Sequence, residues 1–158
     1  MLKITDRIEN YKAIQCINNK YIINWGLVTN NDVYGTWYYK IYNNKPSLVT
    51  IKNDIEEFIN NNTVNKIINN FTWNGMKINL SKENQLNYKL LFDVTVLQNG
   101  INLPEKVKFE INHKTIYYSF ESLDEFKSFI IAMNNHIRLN LLNGWDEKQS
   151  IDYSQFNI

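Results

Sequence analysis

The sequence predicts an α+β fold: an N-terminal antiparallel β-meander and a helix, followed by a ββα-ββα module. Two observations predict the first part and the start of the second. Residues 8–43 are rich in aromatic and β-branched side chains, and residues 71–99 combine an Asn-Gly turn signal with a capped apolar helix. We place the β-meander at residues 1–46, a connecting helix at 47–70 and the C-terminal α+β module at 71–158.

We predict three antiparallel strands in the meander. Residues 8–16 alternate apolar and polar side chains with one slip in phase, and residues 21–29 follow an Asn-Asn-Lys turn. The third strand, residues 33–42, has the composition that suits a pleated, half-buried surface.

The connecting helix begins after Ser47, a favourable N-cap residue, and apolar residues then recur at helical spacing up to Ile68. We expect the cluster Asn60-Asn61-Asn62-Thr63 to weaken or break this helix. No Gly/Ser-rich or Pro-rich linker is present, so the modules are not expected to be freely jointed.

The C-terminal module starts with a hairpin and a helix. Asn74-Gly75 predicts a type I′ turn between short strands at 71–73 and 76–80. Ser81 is expected to cap a helix that runs to about Gln98, with Gly100 in the left-handed C′ position. The apolar members of this helix are Leu86, Leu90, Leu91, Val94 and Leu97.

The second half of the module has the same order of elements. Strands are expected at residues 106–112 and 115–121 across the turn His113-Lys114, and Ser-Leu-Asp-Glu at 122–125 predicts a capping box. A long helix is expected from about residue 123 to 143. Gly144 would end it, and a last helical turn would follow over 145–152.

The long helix is apolar over a wider arc than a monomer's surface helix needs. One stripe at spacings of three and four holds Phe126, Phe129, Ile130, Met133, Ile137 and Leu141. Either the strands and the preceding helix cover both sides, or the extra residues form a subunit interface, most simply an isologous dimer. The interface candidates on this helix are Ile131, Leu139 and Leu142.

Aromatic residues make the meander a second candidate surface. In a strand, Trp37 and Tyr39 share one face, and Tyr38 and Lys40 share the other, so aromatics occupy both faces. The face away from the core would be an exposed apolar patch unless something covers it. Such aromatics anchor protein partners or stack on sugars. The candidates are Trp25, Tyr34, Trp37, Tyr38, Tyr39 and Tyr42.

The sequence carries no recognisable catalytic motif. It lacks a glycine-rich phosphate loop and the HExxH, GxSxG, CxxC and EF-hand patterns. The single cysteine, Cys16, excludes an internal disulfide, and we interpret His113 and His136 as structural. A net charge of +1 without a basic cluster argues against nucleic-acid binding. We therefore expect no enzymatic activity, no cofactor and no metal.

Several short motifs occur in a fixed order in the C-terminal half: Trp73-Asn74-Gly75-Met76 with Leu80-Ser81, then Asn99-Gly100, Leu103-Pro104 and Gly144-Trp145. With these motifs, residues 71–152 resemble a family of small phage domains of unassigned function, found in phage structural and tail-region genes. Gly35-Thr36-Trp37-Tyr38 is similar to the segment that precedes this domain in tailed phages of gut bacteria, including crAss-like phages. Relatives often have Trp where this chain has Asn79.

The resemblance implies a virion component that is made in the host cytoplasm. It would be a head-fibre, tail-fibre, capsid-decoration or adaptor subunit that acts by protein-protein assembly, as a homo-oligomer in contact with capsid, tail or fibre proteins. No catalytic residues are carried over, and neither the N-terminus nor any apolar run predicts a membrane segment. Two alternatives stay open: a fibre-assembly chaperone or morphogenesis factor absent from the virion, and a glycan-binding module that uses the aromatic sheet.

Overall fold

The computed structural model describes residues 1–111 and 114–157 and has the expected α+β fold. His113 lies outside the described residues, whereas Lys114, predicted to share a turn with it, is the first residue of a strand. The described strands are β1 Leu2–Arg7, β2 Ile14–Ile17, β3 Lys20–Thr29, β4 Tyr34–Tyr42, β5 Phe71–Trp73, β6 Met76–Ile78, β7 Glu105–Ile111 and β8 Lys114–Phe120. The described helices are α1 Leu48–Asn69, α2 Lys82–Leu97 and α3 Leu123–Gln149, with 3-10 turns at Ile8–Asn10 and Tyr153–Phe156.

The chain packs as two compact units. Unit 1 comprises Met1–Asn60 together with Asp146–Ile158, and unit 2 comprises Asn61–Trp145. The division falls inside α1 and inside α3, not at the boundaries after residues 46 and 70 that the sequence suggests. Those boundaries stay predictions about domains, whereas the two units describe how the residues pack.

Unit 1 contains a four-stranded antiparallel sheet in the order β1-β4-β3-β2. The prediction of a first strand over residues 8–16 is wrong, because only Ile14–Ile17 pairs with β3 and residues 8–10 form a 3-10 turn. The unpredicted strand β1 pairs with β4, with Leu2 opposite Tyr39. No local turn joins β1 to its partner, so hairpin signals could not identify it.

The core of unit 1 lies between one face of this sheet and the first part of α1. Ile51, Ile55 and Ile59 recur every four residues on α1 and are fully or almost fully buried. They pack in one cluster with Ile23 and Trp25 of β3 and, from the C-terminal segment, Phe156.

Helix α1 is continuous, so the expected break at Asn60–Thr63 did not occur. Ile59, Thr63 and Ile67 recur every four residues through the Asn-rich segment, and all three are buried. Packing of this stripe outweighs the weak helix propensity of asparagine, as tertiary context commonly does.

In unit 2, the turn and the helix cap formed at the residues where the sequence predicted them. Asn74 and Gly75 both have positive φ, 46° and 76°, as a type I′ turn requires, and they join β5 to β6. The Ser81 hydroxyl accepts a hydrogen bond from the Asn84 amide at 3.2 Å and caps α2. The C-cap of α2 is Gln98, so Asn99, with a φ of 51°, takes the left-handed C′ position that was predicted for Gly100; Gly100 follows it with a φ of 76°.

The core of unit 2 is an aromatic cluster between the hairpin β7–β8 and helices α2 and α3. Phe120 and Phe126 stack with centroids 4.3 Å apart, and Phe129 contacts both rings. At the start of α3 the Glu125 amide donates to the Ser122 hydroxyl at 3.2 Å. The Glu125 carboxylate in turn accepts from the amide of Glu121, 3.1 Å away.

The prediction that Gly144 ends the last helix is wrong, because α3 continues to Gln149. Gly144 is buried, and a Cβ atom at this position would meet the Thr63 hydroxyl. The glycine therefore permits close approach of Thr63 in α1 and is not a C-cap. The separate helical turn predicted over 145–152 is correspondingly absent: most of that range belongs to α3.

Candidate interaction surfaces

The aromatic residues on the inner face of the N-terminal sheet belong to the core of unit 1. Trp25 is buried and stacks on Tyr38, with ring centroids 6.1 Å apart. Phe58 of α1 meets Tyr38 edge-on at 4.7 Å. Tyr42 lies on the same face and is half-buried. These three candidate residues thus stabilise the packing of sheet on helix.

A polar cluster joins the same face of the sheet to α1. The Tyr42 hydroxyl donates to Asp54 Oδ2 at 2.6 Å, and Lys40 Nζ lies 2.7 Å from the same oxygen. Burial and the Asp54 carboxylate raise the pKa of Tyr42 well above its usual value. Burial opposes ionisation of Asp54, but the hydrogen bonds from Lys40 and Tyr42 outweigh it and lower the pKa of the carboxyl.

The outer face of the sheet carries Trp37 and Tyr39, as the alternation predicts. Trp37 is only 4% exposed, because Tyr11 packs edge-on against its ring at 5.5 Å. The Trp37 indole nitrogen donates to the Asn24 side-chain oxygen at 3.1 Å, and the Asn24 amide donates to the Lys12 carbonyl at 2.6 Å. The segment after β1 thus covers the aromatic patch that the sequence left open.

Tyr39 and Tyr34 remain accessible on β4, half-buried and 44% exposed respectively. A groove of about 680 Å³ lies beside Tyr39 on the outer face. Carboxylate and amide side chains line it together with apolar ones, among them Ile4, Asp6, Glu9, Gln15 and Ile22.

The candidates on α3 lie on its outward side. Ile131 and Leu139 are 50% and 55% exposed, and Leu142 is half-buried. Trp145 is also more than half exposed, and at 100° per residue it falls on the same face as Ile131 and Leu142. Trp145 is not among the predicted interface residues, because the helix was expected to end just before it.

Helix α2 presents a second outward apolar row, here called the α2 row. Four of its members lie in the helix at successive spacings of four, four and three residues and are between 46% and 81% exposed. The fifth, Ile101, lies beyond the end of the helix and is 85% exposed. The row consists of Leu86, Leu90, Val94, Leu97 and Ile101.

The opposite face of α2 packs against the core and includes residues that are more polar than those of the α2 row. Tyr88 and Thr95 are buried, and Leu91 and Phe92 pack against the aromatic cluster. The sequence analysis identified the apolar members of the row on α2. It had no signal for the side on which the core would lie.

The next residues to consider are those whose side chains could bind a metal ion or react, namely His, Cys, Asp and Glu. In the described part of the chain, no three His, Cys, Asp or Glu side chains are grouped to hold a metal ion. Cys16 is an exposed free thiol. His136 Nε2 lies 3.3 and 3.2 Å from the carbonyl oxygens of Lys66 and Ile67, in the last turn of α1. The Lys66 carbonyl also accepts from the Asn70 amide at 3.1 Å.

Over residues 1–111 and 114–157, no helix combines the length and apolar character that crossing a membrane requires. No protein-family model, curated protein or solved structure matches this chain. The resemblance of residues 71–152 to small phage domains therefore stays an expectation drawn from the sequence.

Proposed function

We propose that the protein is a structural component of a tailed-phage virion: a fibre, decoration or adaptor subunit of head or tail. The virion setting rests on the resemblance of residues 71–152 to small phage domains. The observation that carries the assembly role is the apolar surface on two helices of unit 2. Both the α2 row and the outward side of α3 present large side chains to solvent. Large contiguous apolar patches on a protein surface mark sites where other proteins, membranes or ligands bind, and we assign these patches to protein partners.

The geometry suits assembly. The exposed residues lie on helices whose other faces are anchored in the aromatic core of unit 2, so they form preorganised surfaces. Trp145, which is 53% exposed on α3, is of a residue type that is enriched among the residues dominating binding energy at protein interfaces. Binding of this kind needs no reactive group, cofactor or metal. The partners would be other virion proteins and further copies of this chain.

Mass spectrometry of purified particles tests the proposal. Particles of a phage that encodes this chain should contain its peptides in amounts comparable to those of minor capsid or tail proteins. A phage replication enzyme, abundant in the lysate, serves as the control that should be absent from particles. Presence of this protein in the infected cell but not in particles would contradict the proposal and favour the assembly chaperone.

A second candidate function, glycan binding, is favoured by the groove beside Tyr39. An accessible aromatic ring next to carboxylate and amide groups is the combination that sugar-binding sites use. Glycan-array binding should be lost in Tyr39→Ala and kept in Tyr34→Ala, since Tyr34 is exposed on the same strand but does not line the groove. Absence of binding across the array would contradict this candidate.

A further inference from the structure

We infer that two copies of this chain pair antiparallel through the α2 row and form an isologous dimer. The inference rests on the proposed assembly function for its purpose and deepens it by naming the first partner as a second copy. The row runs along the outer side of α2 from Leu86 to Ile101, and its members are the most exposed large apolar side chains of that helix.

The size of the row fits a two-copy contact. The exposed parts of its five side chains amount to roughly 500 Å² per copy on the scale used for apolar burial. Pairing two rows, with the charged residues that flank them, would therefore bury an area in the lower part of the range of about 1,200–2,000 Å² for specific interfaces. The two rows alone contribute about 1,000 Å², so the flanking residues are needed to bring the contact into that range.

The spacing of the α2 row allows the row of one copy to pair with the same row of a second copy across a two-fold axis. If the axis passes beside residues 91 and 92, Leu86 lies opposite Leu97 of the second copy, and Leu90 lies opposite Val94 of that copy. These spacings of three and four residues allow the side chains of two helices to interdigitate. An isologous interface requires this kind of self-complementary surface.

Charge favours the antiparallel arrangement over the parallel one. Lys89 and Asp93 lie on one edge of the row and form an ion pair along α2. In the antiparallel pair the same edges meet, and Lys89 of each copy lies opposite Asp93 of the other. In a parallel pair this edge, which also carries Lys82, would face the opposite edge, where Asn87 and Gln98 are neutral and Glu83 of the first turn is the charged residue of α2. Only the antiparallel dimer sets both Lys89 and Asp93 opposite residues of the other sign, and this favours that arrangement.

Light scattering on the full chain tests the dimer. The wild type should show about twice the mass of one 18.8 kDa chain at micromolar concentration. Leu90→Lys, which places a charge at the centre of the row, should raise the dissociation constant at least about 100-fold. Leu139→Lys is the matched control, because Leu139 is exposed to a similar extent on α3 (55%, against 53% for Leu90).

Charge reversal tests the orientation with variants that leave the apolar row intact. Lys89→Glu or Asp93→Lys alone sets like charges opposite each other and should weaken the dimer about tenfold. The double variant restores both pairs and should return the affinity to within a few-fold of wild type. Circular dichroism and thermal melts confirm that each variant is folded.

Three outcomes would overturn the inference. The first is a wild type that stays monomeric up to about 100 µM, a concentration far above the dissociation constants of specific dimers. The second is a dimer that is lost in Leu139→Lys but kept in Leu90→Lys. The third is equal affinity of the single and double charge variants. The virion experiment is independent of these. A monomer found in particles would refute the dimer and keep the proposed function, whereas a dimer absent from particles would do the reverse.

Discussion

At the scale of single residues, two contacts between distant parts of the chain decide what a residue does. Gly144 lies inside α3 because Thr63 of α1 occupies the space where a side chain would be. Asp54 binds helix α1 to the sheet, because it accepts hydrogen bonds from both Lys40 and Tyr42. In both cases the residue's role is set by a neighbour distant in sequence.

Gly144→Ala should destabilise the protein by about 1–3 kcal/mol, although alanine favours helices by about 1 kcal/mol over glycine. The new Cβ would collide with the Thr63 hydroxyl. Chemical denaturation measures the free energy of unfolding. In the Thr63→Ala background the penalty should shrink or change sign, and an equal penalty in both backgrounds would contradict this explanation.

The Asp54 cluster predicts a loss of stability in acid. The pKa of Asp54 is lowered in the folded state, so its contribution is complete above the unfolded pKa of about 4 and disappears as the pH falls through the lower folded value. Thermal melts between pH 2 and pH 6, roughly two units on either side of the unfolded pKa, should show this decline in melting temperature. Asp54→Asn should lower the melting temperature at pH 6 and make that part of the decline smaller. An unchanged pH profile in the variant would refute the assignment.

At the scale of elements, α2 shows that an apolar stripe and a buried face need not coincide. Tyr88 and Thr95 face the core, while Leu90 and Leu97 face solvent. The helix is held in this orientation from its first turn, where Ser81 caps it, and the Gln85 side chain donates to the Leu80 carbonyl at 2.7 Å. The α2 row therefore depends on the anchoring of the helix start.

Ser81→Ala should cost about 1 kcal/mol of unfolding free energy, because the Asn84 amide loses its side-chain partner. Ser81→Asp is the control, since aspartate caps helices equally well and also favours the positive end of the helix dipole. Urea denaturation should rank the wild type and Ser81→Asp together above Ser81→Ala. Equal stability of all three proteins would argue that the cap is not important here.

At the scale of the whole molecule, unit 1 is made of segments from the two ends of the described chain. Phe156 is almost fully buried beside Ile51, Ile55 and Trp25, although more than a hundred residues separate it from them. The residues from Asp146 onward therefore complete the core of the N-terminal sheet. Sequence patterns assigned them to the C-terminal module because nothing local links them to the sheet.

Phe156→Ala should destabilise unit 1 by about 3 kcal/mol, the usual cost of removing a buried phenylalanine side chain. Hydrogen exchange read by mass spectrometry should show faster exchange in β3 and β4. Asn157→Ala, an exposed neighbour, is the control and should leave exchange unchanged. Unaltered protection of β3 in Phe156→Ala would contradict the assignment of Phe156 to this core.

The parts of the fold that were predicted correctly depend on residues close together in the chain. The Asn74-Gly75 turn, the Ser81 cap and the Ser122 cap all formed, because each is decided by backbone geometry within a few residues. The reciprocal bond of the predicted capping box differs, since the Glu125 carboxylate accepts from the amide of Glu121 and not from that of Ser122. The candidate surface was predictable only in part. Four residues of the α2 row could be named from their apolar spacing, but Ile101 and Trp145 could not, and the spacing did not predict that this side of α2 would be exposed.

By itself, the sequence determined the α+β class, most strands and helices, and the places where several of them begin. Only the tertiary structure decided that β1 joins the sheet, that Gly144 admits Thr63, that the segment around Tyr11 covers Trp37, and that the α2 row faces outward. Local elements follow from short-range hydrogen bonding and steric limits. Which face is buried depends on the total surface removed from water by segments that meet only after folding.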